Sequence, residues 1–329
     1  MDNLLNTAPL TMNQTGLSQN ALEDEVAVVT GGTSNIGLAT ARCLAWLGAK
    51  VVLAARNQET GMAAQTLIDE ETKPGTALFV ATDISDKASV EAMAQKAIEK
   101  FGKVDILVNN AMDMSQSASI LGSTIDQFDR QYQVAMRGAM ITAQVFVPAM
   151  QERKHGVVTY VSTLFRHPYG PSNYCAVKAG AESIILSLAS EVGPVKESGV
   201  AVFTYIPGLV HRTRPGEERG DKGFIAPPAM AGYPGPYPPE DCGVALAYSI
   251  TRAAEIHGSG IIIGQAFEQM NWPFPKPETA PIKDFERIND TLMIRMFGYI
   301  GPGFPEKRLP LTTINRSESP AEEIQGLYK

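Results

Sequence analysis

The stretch that decides the fold is "VAVVTGGTSNIGLATA", residues 26–41. Its first five residues are apolar or β-branched and predict a buried strand. A turn of glycine and small polar residues follows, and the apolar residues after it recur with the period of a helix. Such a turn lets backbone N–H groups approach a pyrophosphate at the positive end of the helix dipole. The alternative is a tight turn that binds no ligand, and the rest of the chain has to decide between the two.

The same alternation of strand and helix continues along the chain. Helical segments such as residues 36–50 and 86–102 separate apolar runs that are typical of strands buried on both faces of a parallel sheet. The predicted strands are residues 26–30, 51–55, 77–83, 104–110, 156–162, 200–206 and 261–267. The pattern predicts an α/β fold with a single Rossmann-type, doubly wound parallel sheet of about seven strands and helices on both faces.

Three segments interrupt or flank this domain. Residues 1–24 are a polar tail, and we expect one α/β domain over residues 25–267. Residues 214–239 contain 7 Pro and 5 Gly, a composition that excludes regular structure and is typical of a functional lid or a disordered insertion. Residues 268–329 have too few periodic apolar positions for a core of their own. We expect this C-terminal extension to cover the domain or a neighbouring subunit.

Composition excludes several classes of function. Of the 329 residues 44% are hydrophobic and 19% are charged, with 28 basic and 35 acidic side chains and a net charge of −7. An acidic chain without a basic cluster is not expected to bind nucleic acid. The three cysteines do not have the spacing of metal ligands, and their odd number argues against a disulfide framework. No apolar run is long enough to cross a membrane, and the N-terminus lacks the pattern of a secretory signal. We therefore expect a cytoplasmic protein.

Three further motifs carry a family resemblance. They are "NNAM" (109–112), a serine that ends the fifth predicted strand, and "YCAVK" (174–178). Together with the glycine turn, in this order and spacing, they resemble the short-chain dehydrogenase/reductase family over about residues 24–267. The combination is specific, whereas each motif alone is not.

The resemblance implies that residues 25–267 are a dinucleotide-binding catalytic domain. It also implies a nicotinamide cofactor and the residues that contact it. Those residues lie in the glycine turn, at the ends of the second to fourth strands, in the catalytic helix and after the sixth strand. They are Gly31, Thr33, Ser34, Asn35, Ile36, Arg56, Asp83, Ile84, Asn110, Ala111, Tyr174, Lys178, Pro207, Gly208 and Val210.

The end of the second strand bears on the choice between NAD(H) and NADP(H). An NAD site has a carboxylate there for the ribose, whereas in "VVLAARN" (51–57) the place is held by Ala55, followed by Arg56. A guanidinium pairs with a 2′-phosphate. The alternative is that Arg56 is a solvated residue at a strand end. We favour NADP(H).

The resemblance assigns the chemistry to Ser162, Tyr174 and Lys178. Tyr174 and Lys178 are four residues apart and share one helix face. A tyrosine has a pKa near 10, and a nearby ammonium lowers that pKa toward neutrality. Ser162 would hold the carbonyl oxygen where negative charge develops, with Thr163 as a less favoured candidate for that role. Ser162 lies 12 residues before Tyr174, one fewer than is common in the family.

The sequence departs from the family pattern at several places. In "FDRQYQVAMRG" (128–138) Ala135 replaces an asparagine that supports a water relay to the lysine. Asn35 replaces the middle glycine of the turn, and Met112 replaces a glycine after Asn110. Asparagine tolerates a left-handed backbone, so the turn is expected to survive.

The loop after the sixth strand departs as well. Its expected threonine is displaced to Thr213 by His211 and Arg212. Either these two residues recognise substrate or cofactor phosphate, or they are polar residues at a loop hinge, and we favour the hinge.

These observations predict an NADP(H)-dependent oxidoreductase that acts on a carbonyl compound or secondary alcohol. Apolar lid residues favour an apolar or ring-shaped substrate; they are Phe224, Ile225, Met230, Tyr233 and Tyr237. The alternative is a nucleotide-binding family member of little or no activity that serves as an interaction protein. A homodimer or homotetramer is expected in either case.

Overall fold

The computed structural model describes residues 12–114, 120–163, 172–208, 210 and 237–271. Within these ranges it contains one sheet of seven parallel strands, as the sequence predicts. The strands are β1 (Val26–Thr30), β2 (Lys50–Ala55), β3 (Ala77–Ala81), β4 (Ile106–Asn109), β5 (Gly156–Val161), β6 (Val200–Ile206) and β7 (Gly260–Ile262).

Helices connect and cover these strands. They are α1 (Asn35–Trp46), α2 (Gln58–Glu71), α3 (Lys87–Phe101), α4 (Ile125–Tyr132), α5 (Gly138–Arg153), α6 (Ser172–Val192), α7 (Val195–Ser198), α8 (Pro239–Thr251) and α9 (Ile263–Gln269). A π-helical turn, Gln133–Arg137, joins α4 to α5 without a break.

The strand order β3-β2-β1-β4-β5-β6-β7 makes the sheet doubly wound. The chain winds outward from β1 in one direction and, from β4, in the other. In open parallel sheets a ligand binds at the carboxyl ends of the strands, where the order reverses. The turn after β1 and the segment after β4 therefore meet at the expected binding crevice.

The two faces of the sheet carry separate hydrophobic cores. On one face Ala27 and Val29 of β1 pack with apolar residues of α1, α2, α8 and α9. On the other face Val26 and Val28 pack with apolar residues of α3, α5 and α6. Alternate residues of one strand thus serve both cores, which explains why the strands are almost continuously apolar.

The prediction for residues 261–267 was wrong beyond the first two positions. The strand ends at Ile262, and the chain turns directly into α9. The backbone N–H of Ile262 donates to Oε1 of Gln265 at 3.0 Å, which satisfies a free group at the helix start. Ile263, Ala266 and Phe267 are buried on one side of that helix. Their spacing is helical, but a short apolar run does not reveal it.

Other boundaries differ by a few residues. The first helix ends at Trp46 rather than at residue 50, because Gly48 has φ 100° and starts the turn into β2. Pro239, placed in the lid by the sequence, is the first residue of α8, where proline is tolerated. Residues 211–236, which hold most of the lid, and residues 272–329 of the C-terminal extension lie outside the described ranges. Among the helices that are described, none has the length and apolarity to span a membrane.

Candidate active site

The glycine turn has the backbone geometry that its sequence predicts. Gly31 has φ 64° and Asn35 has φ 45°, so asparagine adopts the left-handed conformation at the place of the family's middle glycine. Ser34 is the N-cap of α1, and the first turn of that helix contains no acidic residue. A Cβ on Gly37 would collide with the carbonyl oxygen of Gly31, so a side chain there would force the turn away from the helix. The turn can therefore present backbone N–H groups to an anion.

The segment after β4 is attached to this turn by hydrogen bonds. Thr30 Oγ1 accepts from the N–H groups of Asn110, at 2.9 Å, and Ala111, at 3.1 Å. Asn110 Nδ2 donates to the carbonyl oxygens of Thr30, at 2.9 Å, and Gly31, at 3.3 Å. These hydrogen bonds form a polar clamp between the turn after β1 and the segment after β4, where the strand order reverses. The clamp explains the residue types at positions 30 and 110.

The ends of β2 and β3 border the same crevice. Arg56 is exposed directly after β2, and Asp83 is exposed after β3. A hydrogen bond from Ser85 lowers the pKa of Asp83, and the nearby Arg56 lowers it further. Ile84 packs against α5 so closely that a Cβ on Gly138 would lie 2.8 Å from its Cγ1. An ionised Asp83 and an unburied guanidinium therefore stand near each other at this edge.

The predicted catalytic residues lie at the end of β5 and the start of α6. Ser162 is 2% exposed, and its backbone N–H continues the sheet ladder to the carbonyl of Tyr205 at 2.7 Å. Tyr174 is half-buried in the first turn of α6, as predicted for a helical residue. Residues 164–171, which connect the two, lie outside the described ranges.

Lys178 lies between these two residues and is 3% exposed. Its Nζ donates to the carbonyl oxygen of Val161 at 2.5 Å and lies 5.9 Å from the ring centroid of Tyr174. The ring of Tyr160 is nearer, with its centroid 4.7 Å away. Burial lowers the pKa of Lys178 to about 7, and the charge of Glu182 opposes that shift. The ammonium is thus placed beside the tyrosine that it was expected to influence.

Two residues at this site were missed in the sequence. Ser162 Oγ donates to Oε2 of Glu182, a carboxylate that is itself 9% exposed. Tyr160 is 1% exposed, and burial raises its pKa well above the usual value, with Tyr174 and Glu182 adding to the shift. Both could have been found from spacing: Glu182 is one helical turn after Lys178, and Tyr160 lies two residues before Ser162 on the same side of β5.

Ala135, the departure from the family pattern, is 1% exposed within the π-helical turn. Such turns leave the regular helical hydrogen-bond ladder and are frequent at functional sites. The next residue, Met136, lies against α6, where a Cβ on Gly180 would collide with its side chain. Ala135 is therefore buried next to a residue that packs closely against α6.

The remaining predicted residues follow β6. Pro207 is buried, and Gly208 has φ 73°, which favours glycine. Val210 forms an isolated bridge with Tyr237, which is the one described residue among the apolar side chains predicted for the lid. Thr33 and Ile36 are half-buried in the glycine turn. His211, Arg212 and Thr213 lie outside the described ranges.

The fold and these residues define the class of protein. It is a Rossmann-type α/β protein in which a nucleotide-binding turn lies beside a serine, a tyrosine and a lysine. A protein-family model described as short chain dehydrogenase matches residues 25–222. An uncharacterized oxidoreductase of Staphylococcus aureus (strain USA300) is 34% identical over 191 residues, which are 57% of this chain and 79% of the relative. An uncharacterized oxidoreductase of Thermotoga maritima is 36% identical over 170 residues, 51% of this chain and 65% of the relative.

Comparison with solved structures points to the same family. One described as a short chain dehydrogenase/reductase family protein has a TM-score of 0.62 and 32% identity over 73% of this chain and 96% of the other. A levodione reductase has a TM-score of 0.65 at 24% identity over 74% of this chain and 98% of the other, which shows the shared fold. The chain belongs to the short-chain dehydrogenase/reductase family, a family of oxidoreductases that bind a nicotinamide cofactor.

The residues that are present fit such a cofactor. The turn between β1 and α1 combines positive φ at Gly31 and Asn35 with a helix start free of acidic side chains, which suits a pyrophosphate. The crevice at the switch point, bordered by Asn110 and by the end of β5, suits the rest of a dinucleotide.

Proposed function

We propose that the protein is an NADP(H)-dependent oxidoreductase that interconverts a carbonyl compound and a secondary alcohol, with Tyr174 as the general acid and base. The observation that supports this most is the place of Lys178, a buried ammonium 5.9 Å from the Tyr174 ring at the carboxyl edge of the sheet. If Tyr174 and Lys178 were an ordinary pair on a helix surface, the lysine would be exposed to solvent rather than buried.

A nicotinamide cofactor held by the turn after β1 and by Asn110 would supply the hydride in reduction and would accept it in oxidation. During reduction the carbonyl oxygen gains negative charge and takes a proton from the phenol of Tyr174. Lys178 favours the phenolate that remains, because its positive charge is close. Ser162, at the end of β5, stabilises the charge on the oxygen by turning its one O–H, which donates to Glu182 in the free protein, toward that oxygen. Oxidation uses the same residues in the reverse order.

NADP(H) is proposed over NAD(H) because the second strand ends in Ala55 and Arg56. No carboxylate follows directly on β2 to repel a 2′-phosphate, and the exposed guanidinium can pair with one. We further propose an apolar or ring-shaped substrate, from the apolar residues of the segment 214–239. A cytoplasmic homodimer or homotetramer remains a prediction from the sequence, as do the domain boundaries.

A second candidate is a family member with little activity that binds nucleotide and serves as an interaction protein. Ala135 supports it, because a methyl group cannot hold the water that the family's asparagine holds. Large apolar side chains exposed near α4 also support it; they are Ile120, Leu121, Ile125, Phe128, Tyr132 and Met140. Turnover with any carbonyl compound at a rate typical of enzymes would exclude this candidate.

The test is the oxidation of NADPH in the presence of a panel of ketones, with the protein and its Tyr174→Phe variant. We expect Tyr174→Phe to abolish hydride transfer while NADPH still binds, because the substitution removes the phenolic hydroxyl, and with it the exchangeable proton, and keeps the ring. Binding is followed by the fluorescence of NADPH. Turnover near the wild-type rate in Tyr174→Phe would show that the acid lies elsewhere.

A further inference from the structure

A buried carboxylate lies beside the proposed catalytic residues. Tyr174, Lys178 and Glu182 follow one another at intervals of four residues on α6 and so share one face of that helix. Glu182 accepts a hydrogen bond from Ser162 Oγ, and both side chains are buried. A buried carboxylate is costly unless it is paired and hydrogen-bonded, so its place here calls for an explanation.

The buried ammonium of Lys178 has the complementary need. Its hydrogen-bond acceptor is the carbonyl oxygen of Val161, at 2.5 Å, and the other polar groups beside it are the phenols of Tyr160 and Tyr174. Glu182 lies one helical turn after Lys178 on the same face of α6, so its charge is near the ammonium. Burial lowers the pKa of Lys178 to about 7, and the charge of Glu182 opposes that shift. An ammonium removed from water is stabilised by such a counter-ion.

Among the described residues, the π-helical turn and α4 bury no charged side chain against α6. Ala135 and Met136 of the π-helical turn are apolar, and the buried residue of α4, Gln131, is uncharged and donates from Nε2 to the carbonyl oxygen of Asp113. The polar support of Lys178 therefore comes from β5 and from its own helix.

We propose that Glu182 is a positioning residue that holds the Ser162 hydroxyl and serves as the counter-ion of Lys178. This inference rests on the proposed function for its catalytic meaning, but the electrostatic pairing that it asserts can be measured without turnover. Glu182 thereby supplies, from α6, polar support for the lysine that residue 135 cannot supply. It acts through Ser162 and Lys178 rather than on the substrate.

A double-mutant cycle on stability tests the pairing. The equilibrium constant for unfolding is measured in urea for the wild type, Glu182→Gln, Lys178→Met and the double variant at about pH 6. We expect Glu182→Gln to raise this constant at least tenfold more in the wild-type background than in the Lys178→Met background. Equal effects in both backgrounds would overturn the proposal.

The pH dependence separates a counter-ion from a packing contact. Since burial lowers the folded-state pKa of Lys178 to about 7 from 10.5, the native lysine is charged at pH 6 and neutral at about pH 9. We expect the tenfold coupling to fall below about threefold at pH 9. A coupling that does not change between the two pH values would contradict an ionic role.

The matched control is Glu191→Gln, the same chemical change at an exposed position of the same helix. It should show no coupling to Lys178→Met at either pH. If Glu182→Gln alone does not fold, folding of the double variant supports the proposal, because neutralising the lysine then removes the unpaired charge. Failure of both variants would assign Glu182 to packing and overturn the proposal.

An activity measurement tests the positioning role. We expect Glu182→Gln to lower kcat at least tenfold with KM changed less than threefold, and Glu182→Asp to recover part of the loss because it keeps the charge. Unchanged kcat in Glu182→Gln would overturn the positioning role. A wild type that turns over no carbonyl compound would refute the proposed function, while the stability cycle would still decide whether Glu182 pairs with Lys178.

Discussion

At the residue scale, Arg56 determines the expected choice of cofactor. It is exposed at the end of β2, where a 2′-phosphate can reach it without displacing a buried group. Removing a charged hydrogen-bond partner costs about 1.5–3 kcal/mol. We therefore expect Arg56→Ala to weaken NADPH binding about tenfold or more and to leave NADH binding nearly unchanged, as measured by fluorescence titration.

A control for this variant is Arg252→Ala. Arg252 is an exposed arginine directly after α8 that pairs with Glu255. Its removal changes the net charge by the same amount, so it should not alter the ratio of NADPH to NADH affinity. If Arg56→Ala weakened the binding of NADPH and NADH equally, Arg56 would not be the residue that recognises the 2′-phosphate.

Ala135 permits a second prediction at the residue scale. Ala135 is 1% exposed, and its neighbour Met136 packs against α6. We therefore expect little free space for a larger side chain at position 135. We expect Ala135→Asn to lower both activity and stability, with overpacking costing about 1–3 kcal/mol. NADPH oxidation and urea denaturation measure the two effects.

The opposite outcome for Ala135→Asn is equally informative. If the water relay of the family were simply lost, the added amide would restore it. Turnover would then rise, and the solvent isotope effect would shrink. A faster Ala135→Asn enzyme with an unchanged substrate range would show that the surroundings of residue 135 can accommodate asparagine.

At the element scale, a charged cluster holds the amino ends of three strands together. Asp105 precedes β4 and accepts from the N–H of Val26 in β1 at 3.0 Å. Lys103 and Arg153 pair with the same carboxylate at 3.0 and 3.3 Å. Glu25 and His155 join the cluster at the starts of β1 and β5, so three residues of metal-ligating types lie together. Two cations already occupy Asp105, which favours a structural charge network over a metal site.

This network predicts a large loss of stability on Asp105→Ala. Its carboxylate is 1% exposed, and its removal leaves a buried N–H without an acceptor and takes the anionic partner from two cations. We expect the free energy of unfolding to fall by about 2–4 kcal/mol, measured in urea. Asp86→Ala, which removes an exposed N-cap of α3, should cost only about 1 kcal/mol. Equal losses would mean that Asp105 contributes no more than a helix cap.

At the scale of the whole molecule, cofactor binding should be coupled to global stability. The turn after β1, the segment after β4 and the end of β5 belong to distant parts of the chain and meet only in the folded state. A ligand that needs all of them binds the native state and stabilises it by about 2.7 kcal/mol at one hundred times Kd.

We therefore expect NADPH to raise the melting temperature by several degrees and NADH, at equal concentration, to raise it less. Differential scanning fluorimetry measures both shifts, with adenosine as a control ligand that lacks the phosphates. A shift with NADH equal to or larger than the shift with NADPH would contradict the proposed preference.

The sequence by itself determined the architecture and part of the site. Strands buried on both faces must be almost continuously apolar, so the alternation of β and α segments predicted the parallel sheet. The left-handed backbone at Asn35 also followed from local chemistry, because few residues other than glycine adopt it. The spacing of Tyr174 and Lys178 was sufficient to place both on one helix face. These features depend on neighbours in the chain, whose effects a sequence displays directly.

The tertiary structure alone decided what depends on distant contacts. The pairing of Ser162 with Glu182, the clamp between Thr30 and Asn110, and the packing of Met136 against Gly180 each join separate elements. The turn of the chain into α9 after Ile262 was likewise decided by burial, because Ile263, Ala266 and Phe267 are all buried in the first core. A side chain in a sequence shows which bonds it is able to form. Which of them it forms is settled by the groups that the crossovers of a parallel sheet bring within its reach.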